Sequence, residues 1–209
     1  MPARLASRVE AGWRTVLVSQ NELKMKSFFL FLFEVVKITV ITLAIILPIR
    51  YYLMQPFFVK GESMEPNFDD GQYLIIDELS YNWREPSRGE VVVFKYPVDP
   101  SQYYIKRIVG LPGETMELAD GRVKIINSAH PLGFVLDESK YLPENMATYG
   151  NTKQVLGDGE YFVMGDNRSA SYDSRRWGVL PRKNITGKVW LRAWPPRSAT
   201  VFAAPEYVY

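Results

Sequence analysis

The stretch EVVVFKYPVDPSQYYIKRIVG, Glu90 to Gly110, decides the fold. It holds two runs rich in β-branched and aromatic residues, 90–96 and 102–110, parted by the proline and aspartate that punctuate strands. The same texture continues on both sides, in YLIIDE (73–78), RVKII (122–126), EYFVMG (160–165) and GKVWLRAW (187–194), with LPGE, ADGR and LGDGE as separators. No helical period of useful length occurs beyond Arg50. These patterns predict a mainly β domain over 51–209, a Greek-key or barrel-like set of antiparallel sheets. Within it, 127–157 is more polar and turn-rich and reads as an insertion or hairpin excursion.

Two cations interrupt the second run. On a strand, Lys106 shares a face with Tyr104 and Ile108, and Arg107 shares the other with Ile105 and Val109. One of them therefore faces surroundings less watery than a charge prefers. A desolvated lysine loses basicity, and a fall of about two to three units from about 10.4 would let it act as a general base near neutral pH. On periodicity alone, a lysine snorkelling from an edge strand accounts for the pattern more simply than catalysis does.

Upstream, FFLFLFEVVKITVITLAIILPI (28–49) would rise about 33 Å as a helix, roughly one hydrocarbon core. Its apolar residues favour insertion by on the order of 7 kcal/mol, and Glu34 and Lys37, three residues apart, are placed to pair or snorkel. LPIRYYLMQPFF follows without a small-residue cleavage site, so the segment reads as a retained anchor over 27–50, not a removed leader. Arg4, Arg8, Arg14, Lys24 and Lys26 precede it, whereas Arg50 and Lys60 alone follow closely. The positive-inside bias puts the basic segment 1–26 in the cytoplasm and the β domain on the extracytoplasmic face of the cytoplasmic membrane.

Composition narrows the chemistry. The chain of 209 residues has room for one substantial domain plus extras, and its net charge of +2 makes no case for a nucleic-acid partner. Without cysteine there are no disulfides, thiolate nucleophiles or Cys-based zinc sites, and a single histidine, His130, rules out multi-His metal sites. His130 lies beside a proline in a loop-like stretch and reads as an ordinary surface residue.

Two further stretches carry polar groups in unusual density. FFVKGESMEPNFDDG (57–71) sets Ser63 just behind an aromatic and apolar run, and GDNRSASYDSRRWG (165–178) crowds hydroxyls, acids and arginines between EYFVM and VLP. Alone, each reads as a turn or a polar loop. If Ser63 is a nucleophile, carboxylates, tyrosines and lysines are the candidate bases, Lys106 being the oddly placed one. The second loop can supply a neutral lysine with an orienting hydroxyl braced by Asp173 with Arg175 or Arg176.

Taken in order behind an N-terminal anchor, GESMEP, RGEVVVFKYP, YIKRIVGLPGE and GDNRSASYDSRRWG resemble the boxes of the bacterial type I signal peptidases, membrane-anchored serine–lysine proteases. The resemblance covers roughly residues 48–180. It implies Ser63 as nucleophile, Lys106 as general base, Ser171 as the hydroxyl that orients the lysine, and Asp173 and Arg175 as supports. It further implies that Phe57, Val59, Met64, Phe68, Tyr104 and Ile105 line small apolar substrate pockets, with Phe57-Phe58-Val59 as a substrate-pairing edge strand. The expected partners are preprotein signal peptides, the lipid bilayer and, by proximity, the translocation machinery; no metal or organic cofactor is implied. Asn67 stands where many relatives have threonine. Gly61 stands where some carry a serine that helps the oxyanion hole, which leaves the second oxyanion donor open. The rival readings are a serine–lysine protease with dedicated substrates and a tethered β domain that binds peptides without catalysis.

Overall fold

The computed structural model describes residues 3–48, 55–144, 146–205 and 207, in two compact units, residues 1–49 and 50–209. The first unit is a single helix, α1, Ala3–Pro48. Its Lys24–Leu47 stretch is long and apolar enough to cross a membrane, and every side chain in that stretch is exposed. Lys37 and Glu34 pair at 3.2 Å, as their spacing predicts.

The second unit is built from antiparallel strands: β1 (Gln55–Phe58), β2 (Tyr73–Asp77), β3 (Val91–Lys95), β4 (Tyr103–Gly110), β5 (Thr115–Ala119), β6 (Arg122–Ile126), β7 (Phe134–Val135), β8 (Thr152–Val155), β9 (Glu160–Met164), β10 (Leu180–Pro181), β11 (Ile185–Trp194) and β12 (Thr200–Val201). A four-residue helix, α2 (Ser174–Trp177), follows β9. One sheet runs β1-β2-β11-β3-β4-β9-β10, with β12 added to β11, and a smaller one runs β7-β6-β5-β8. The large sheet does not close on itself, since β1 and β10 stand at its opposite ends. The barrel-like element of the expectation therefore gives way to an open sheet.

Why the centre of that sheet reads as unbroken apolar runs is visible in β3. Val91 and Val93 enter one core with Val59, Met64, Phe68, Leu74, Ile76 and Val189, while Val92 and Phe94 enter another with Ile108, Tyr161, Val163 and Leu180. Alternation sends successive side chains to opposite faces, and both faces are covered. A third core, centred on Met116, Leu118, Val123 and Ile125, lies under the smaller sheet. The polar stretch 127–157 supplies β7 and β8 to that sheet and reaches back to the large unit's loops, so it is joined to the body by more than its ends.

Candidate active site

The turn after β1 is shaped to expose one serine. Val59 N–H donates to the Gln72 carbonyl and Gly71 N–H to the Val59 carbonyl, which pins the two ends of the turn together. Between them Gly61 takes φ +90°, a conformation open to glycine, and donates its N–H to the Asp70 carboxylate at 2.6 Å. Residues 64–68 then coil, with the N–H groups of Asn67 and Phe68 both donating to the Met64 carbonyl. This coil turns Met64 and Phe68 inward, where both are fully buried. They pack in one core with Val59, Val93 and Ile105, directly beneath the apolar side of the groove described below. Their side chains set the floor on which Ser63 sits.

Ser63 meets β4. Lys106 Nζ lies 2.7 Å from Ser63 Oγ and donates to the Ile105 carbonyl at 2.7 Å. The lysine is 4% exposed, and burial pulls its amine down from 10.5 to about 8, with the fields of Asp173 and Asp166 opposing that fall. The neighbouring Arg107 is almost as buried but is ion-paired with Asp166 at 2.6 Å. A serine hydroxyl in hydrogen-bond contact with a buried amine of lowered pKa has the geometry that a nucleophile and its base require.

The loop from Gly165 to Asp173 clamps this pair from the side. Asn167 donates its N–H to the Ser63 carbonyl at 3.1 Å and its side-chain amide to the Glu62 carbonyl at 3.1 Å. Gly165 is where the two segments come closest. A Cβ placed there would collide with the Ser63 carbonyl oxygen and with Ser171 Oγ. Asp173 caps α2 and accepts from the Arg175 backbone N–H and from the Gly165 N–H. Burial pushes the Asp173 carboxyl up, but the bonds and charge of Arg175, 2.8 Å away, override it and leave the group below the usual carboxylate range.

Ser171 is buried, and its Oγ makes no well-formed hydrogen bond, although it stands close enough to Asp173 to help hold that carboxylate charged. The expected bond from Ser171 to Lys106 is not made. The hydroxyl is packed into the space left by Gly165, and the lysine's hydrogen bonds go to Ser63 and Ile105.

Several supporting residues lie beyond the sequence reading. Asn67 donates to the Tyr141 carbonyl at 2.7 Å and to Asp166 at 2.8 Å, tying the serine turn to the Arg107–Asp166 pair. Arg168 donates to the Gly165 carbonyl and pairs with Glu138 at 2.5 Å, and Arg175 reaches the Tyr149 carbonyl. The polar stretch 127–157 thus braces the clamp loop. These partners are up to 99 residues apart in sequence, so no local spacing announces them.

A groove of about 320 Å³ runs past Ser63 and Lys106. Phe57, Val59, Val93, Tyr103 and Ile105 form its apolar side, and Tyr104, Ala170 and Tyr172 lie on the other. Its two long edges are backbone. β1 pairs with β2 alone, and Tyr103–Lys106 of β4 precede the stretch that pairs with β9, so each offers an unpaired strand edge among the described residues. Phe57 and Tyr103 span the two edges with ring centroids 5.4 Å apart. His130 is not in this groove; it packs its ring on Phe134, in the turn leading to β7.

Sequence comparison agrees with this geometry. A family model described as "Signal peptidase, peptidase S26" matches residues 32–194. The chain is 37% identical over 164 residues to the probable signal peptidase I-2 of Synechocystis sp., covering 76% of this chain and 70% of that protein. It is 35% identical over 172 residues to the signal peptidase I of Leptolyngbya laminosa, covering 78% and 80%, and 33% identical over 199 residues to that of Pseudomonas fluorescens, covering 73% and 70%. With the match spanning the anchor, the serine turn, β4 and the clamp loop alike, the chain belongs to the signal peptidase family, peptidase S26.

Proposed function

We propose that Ser63 is the nucleophile and Lys106 the general base of a membrane-anchored signal peptidase that removes signal peptides from preproteins, cleaving after small residues. The carrying observation is the 2.7 Å contact between Ser63 Oγ and the buried amine of Lys106, whose pKa of about 8 leaves a useful fraction neutral near pH 7 to 8.

The neutral amine takes the hydroxyl proton as Oγ attacks the scissile carbonyl, then returns it to the departing amine, leaving an ester on Ser63. Water, deprotonated by the same lysine, releases the acyl group. The developing oxyanion needs preorganised donors. The Ser63 backbone N–H is engaged in no hydrogen bond among the described residues and faces that task, whereas the Gly61 N–H is held by Asp70. Asp173 and Arg175 hold the clamp loop in place, and Ser171 fills the gap beside Gly165. The extended substrate adds as a strand between the free edges of β1 and β4, which accounts for the apolar groove between them.

The helix α1 anchors the enzyme, and the basic flank before it favours a cytoplasmic N-terminus with the catalytic unit, residues 51–209, on the extracytoplasmic face of the cytoplasmic membrane. Signal peptides emerging from the translocation machinery would meet it there. Purified full-length chain in detergent should cleave a preprotein with an Ala-x-Ala site, and Ser63→Ala and Lys106→Met should each abolish cleavage while remaining folded. Labelling by a serine-directed acylating probe should be lost in both variants. Cleavage surviving Lys106→Met would require another base.

A further inference from the structure

We propose that Tyr172, held by Tyr96 and flanked by Tyr104, forms a stacking subsite that selects an aromatic or long apolar side chain at the residue immediately before the one acylated. This rests on the peptidase reading above and adds a specificity to it.

The groove has two unlike sides because β4 alternates. Ile105 projects to the aliphatic side with Val93 and Val59, whereas Tyr104 and Lys106 project to the other face. A peptide added along the free edge of β4 alternates likewise. The residue presented to Ser63 sends its side chain to the closed aliphatic side, which suits a small group. The residue before it must point the opposite way, towards Tyr104 and Tyr172.

What waits there is an ordered aromatic cluster. Tyr96 stacks on Tyr104 with centroids 4.7 Å apart and planes 18° from parallel, and meets Trp177 edge-on at 5.9 Å. Tyr172 meets Tyr96 edge-on at 6.2 Å, its hydroxyl 3.3 Å from that of Tyr96, and the Trp177 indole N–H reaches the Tyr172 carbonyl at 3.5 Å. Tyr96 is 8% exposed, but Tyr172 is 49% exposed. A tyrosine on an open surface would be mobile and without consequence. This one is tethered at both its backbone and its phenol tip, is half exposed, and lines a groove that also holds Ser63 and Lys106. The ring is preordered, so a substrate side chain can stack on it without first immobilising it.

The test uses full-length enzyme in detergent and short peptides with small residues at the acylated position and two places before it, differing only in the residue between them: Phe, Leu or Gly. The kcat/KM values should fall in the order Phe, Leu, Gly, with Phe over Gly by about 3- to 10-fold. Tyr172→Ala should bring the Phe-to-Gly ratio towards one, and Tyr172→Leu should keep the advantage of Leu over Gly while losing that of Phe over Leu. Tyr96→Phe, which removes one hydroxyl and keeps every ring, should lower the Phe-to-Gly ratio by a smaller factor. A flat wild-type profile, or a Phe preference untouched by Tyr172→Ala, would overturn the subsite and leave the peptidase standing. Absence of cleavage of every peptide by folded wild type would overturn both.

Discussion

Lys106 and Arg107 are adjacent on β4, project to opposite faces of one sheet, and are both almost out of water, yet the two faces treat their charges differently. Arg107 is met by Asp166 with two hydrogen bonds, by the Gly89 carbonyl, and by the Tyr141 ring 4.2 Å from its guanidinium carbon. Lys106 is met by a hydroxyl and a carbonyl, neither of which carries charge. A guanidinium stays charged in any protein setting, so its face must neutralise it by pairing. An amine can give up its proton, so a face that withholds a counter-ion makes a base of it. Buried cations are thus structural or chemical according to what they are offered and whether they can answer by deprotonating.

The sharpest way to break this contrast is to remove the lysine's choice. Lys106→Met and Lys106→Arg should each lower kcat/KM by about 10²- to 10⁴-fold or more, measured on an Ala-x-Ala preprotein. Their stabilities should diverge, which calorimetry or denaturant melts would read: methionine removes a buried charge and raises stability at pH 7, whereas arginine installs a charge that cannot be shed and lowers it. The gain in Lys106→Met should be about 3 kcal/mol, the equivalent of the fall from 10.5 to about 8. Because the folded pKa lies below the unfolded one, wild-type folding carries this penalty in full below pH 8. The penalty fades as pH rises from 8 to 10.5, so the gap between wild type and variant should close over that window.

On the other face, Asp166→Asn leaves the Arg107 charge buried without its partner and should cost about 3–5 kcal/mol of unfolding free energy. If that variant instead retains wild-type stability, the pairing on this face is not what holds the charge. Gly165→Ala tests the contact between the clamp loop and the serine turn. The added methyl meets backbone on one side and Ser171 on the other, so it should cost about 1–3 kcal/mol and lower kcat more than KM as Ser63 is displaced. Asn67→Ala should cost a comparable amount, about 0.5–1.5 kcal/mol for each of the bonds lost to Tyr141 and Asp166. In the wild type, kcat/KM should climb about tenfold per pH unit below pH 8 and level off above it, and a single limb centred near 6.5 would contradict a lysine base.

Strand alternation in YYIKRIVG was enough to set Lys106 and Arg107 on opposite faces, and the runs rich in valine, isoleucine and aromatics marked the large sheet's central strands. What escaped was of two kinds. β5 and β8 carry Glu117 and Lys153 on a face open to solvent, and β7, β10 and β12 are two residues long, so none presents an apolar run. Partners such as Asn67 with Tyr141, Arg107 with Asp166 and Arg168 with Glu138 are set by folding, and a sequence records only near neighbours. The same limit explains Met64 and Phe68. Their nearness to Ser63 along the chain is real, and the coil at 64–68 sinks both into the core shared with Val59 and Val93.

The strand order has a consequence for the timing of activity during synthesis. β11 lies between β2 and β3, so the strand pair that carries Ser63 and the strand pair that carries Lys106 are joined through a segment made about eighty residues after the lysine. Until Ile185–Trp194 has left the ribosome and docked, a growing chain holds Ser63 and Lys106 as parts of two unsewn halves. Assembly by such distant contacts is slow compared with local structure. The site is therefore completed late in synthesis, when the seam between the two strand pairs is closed.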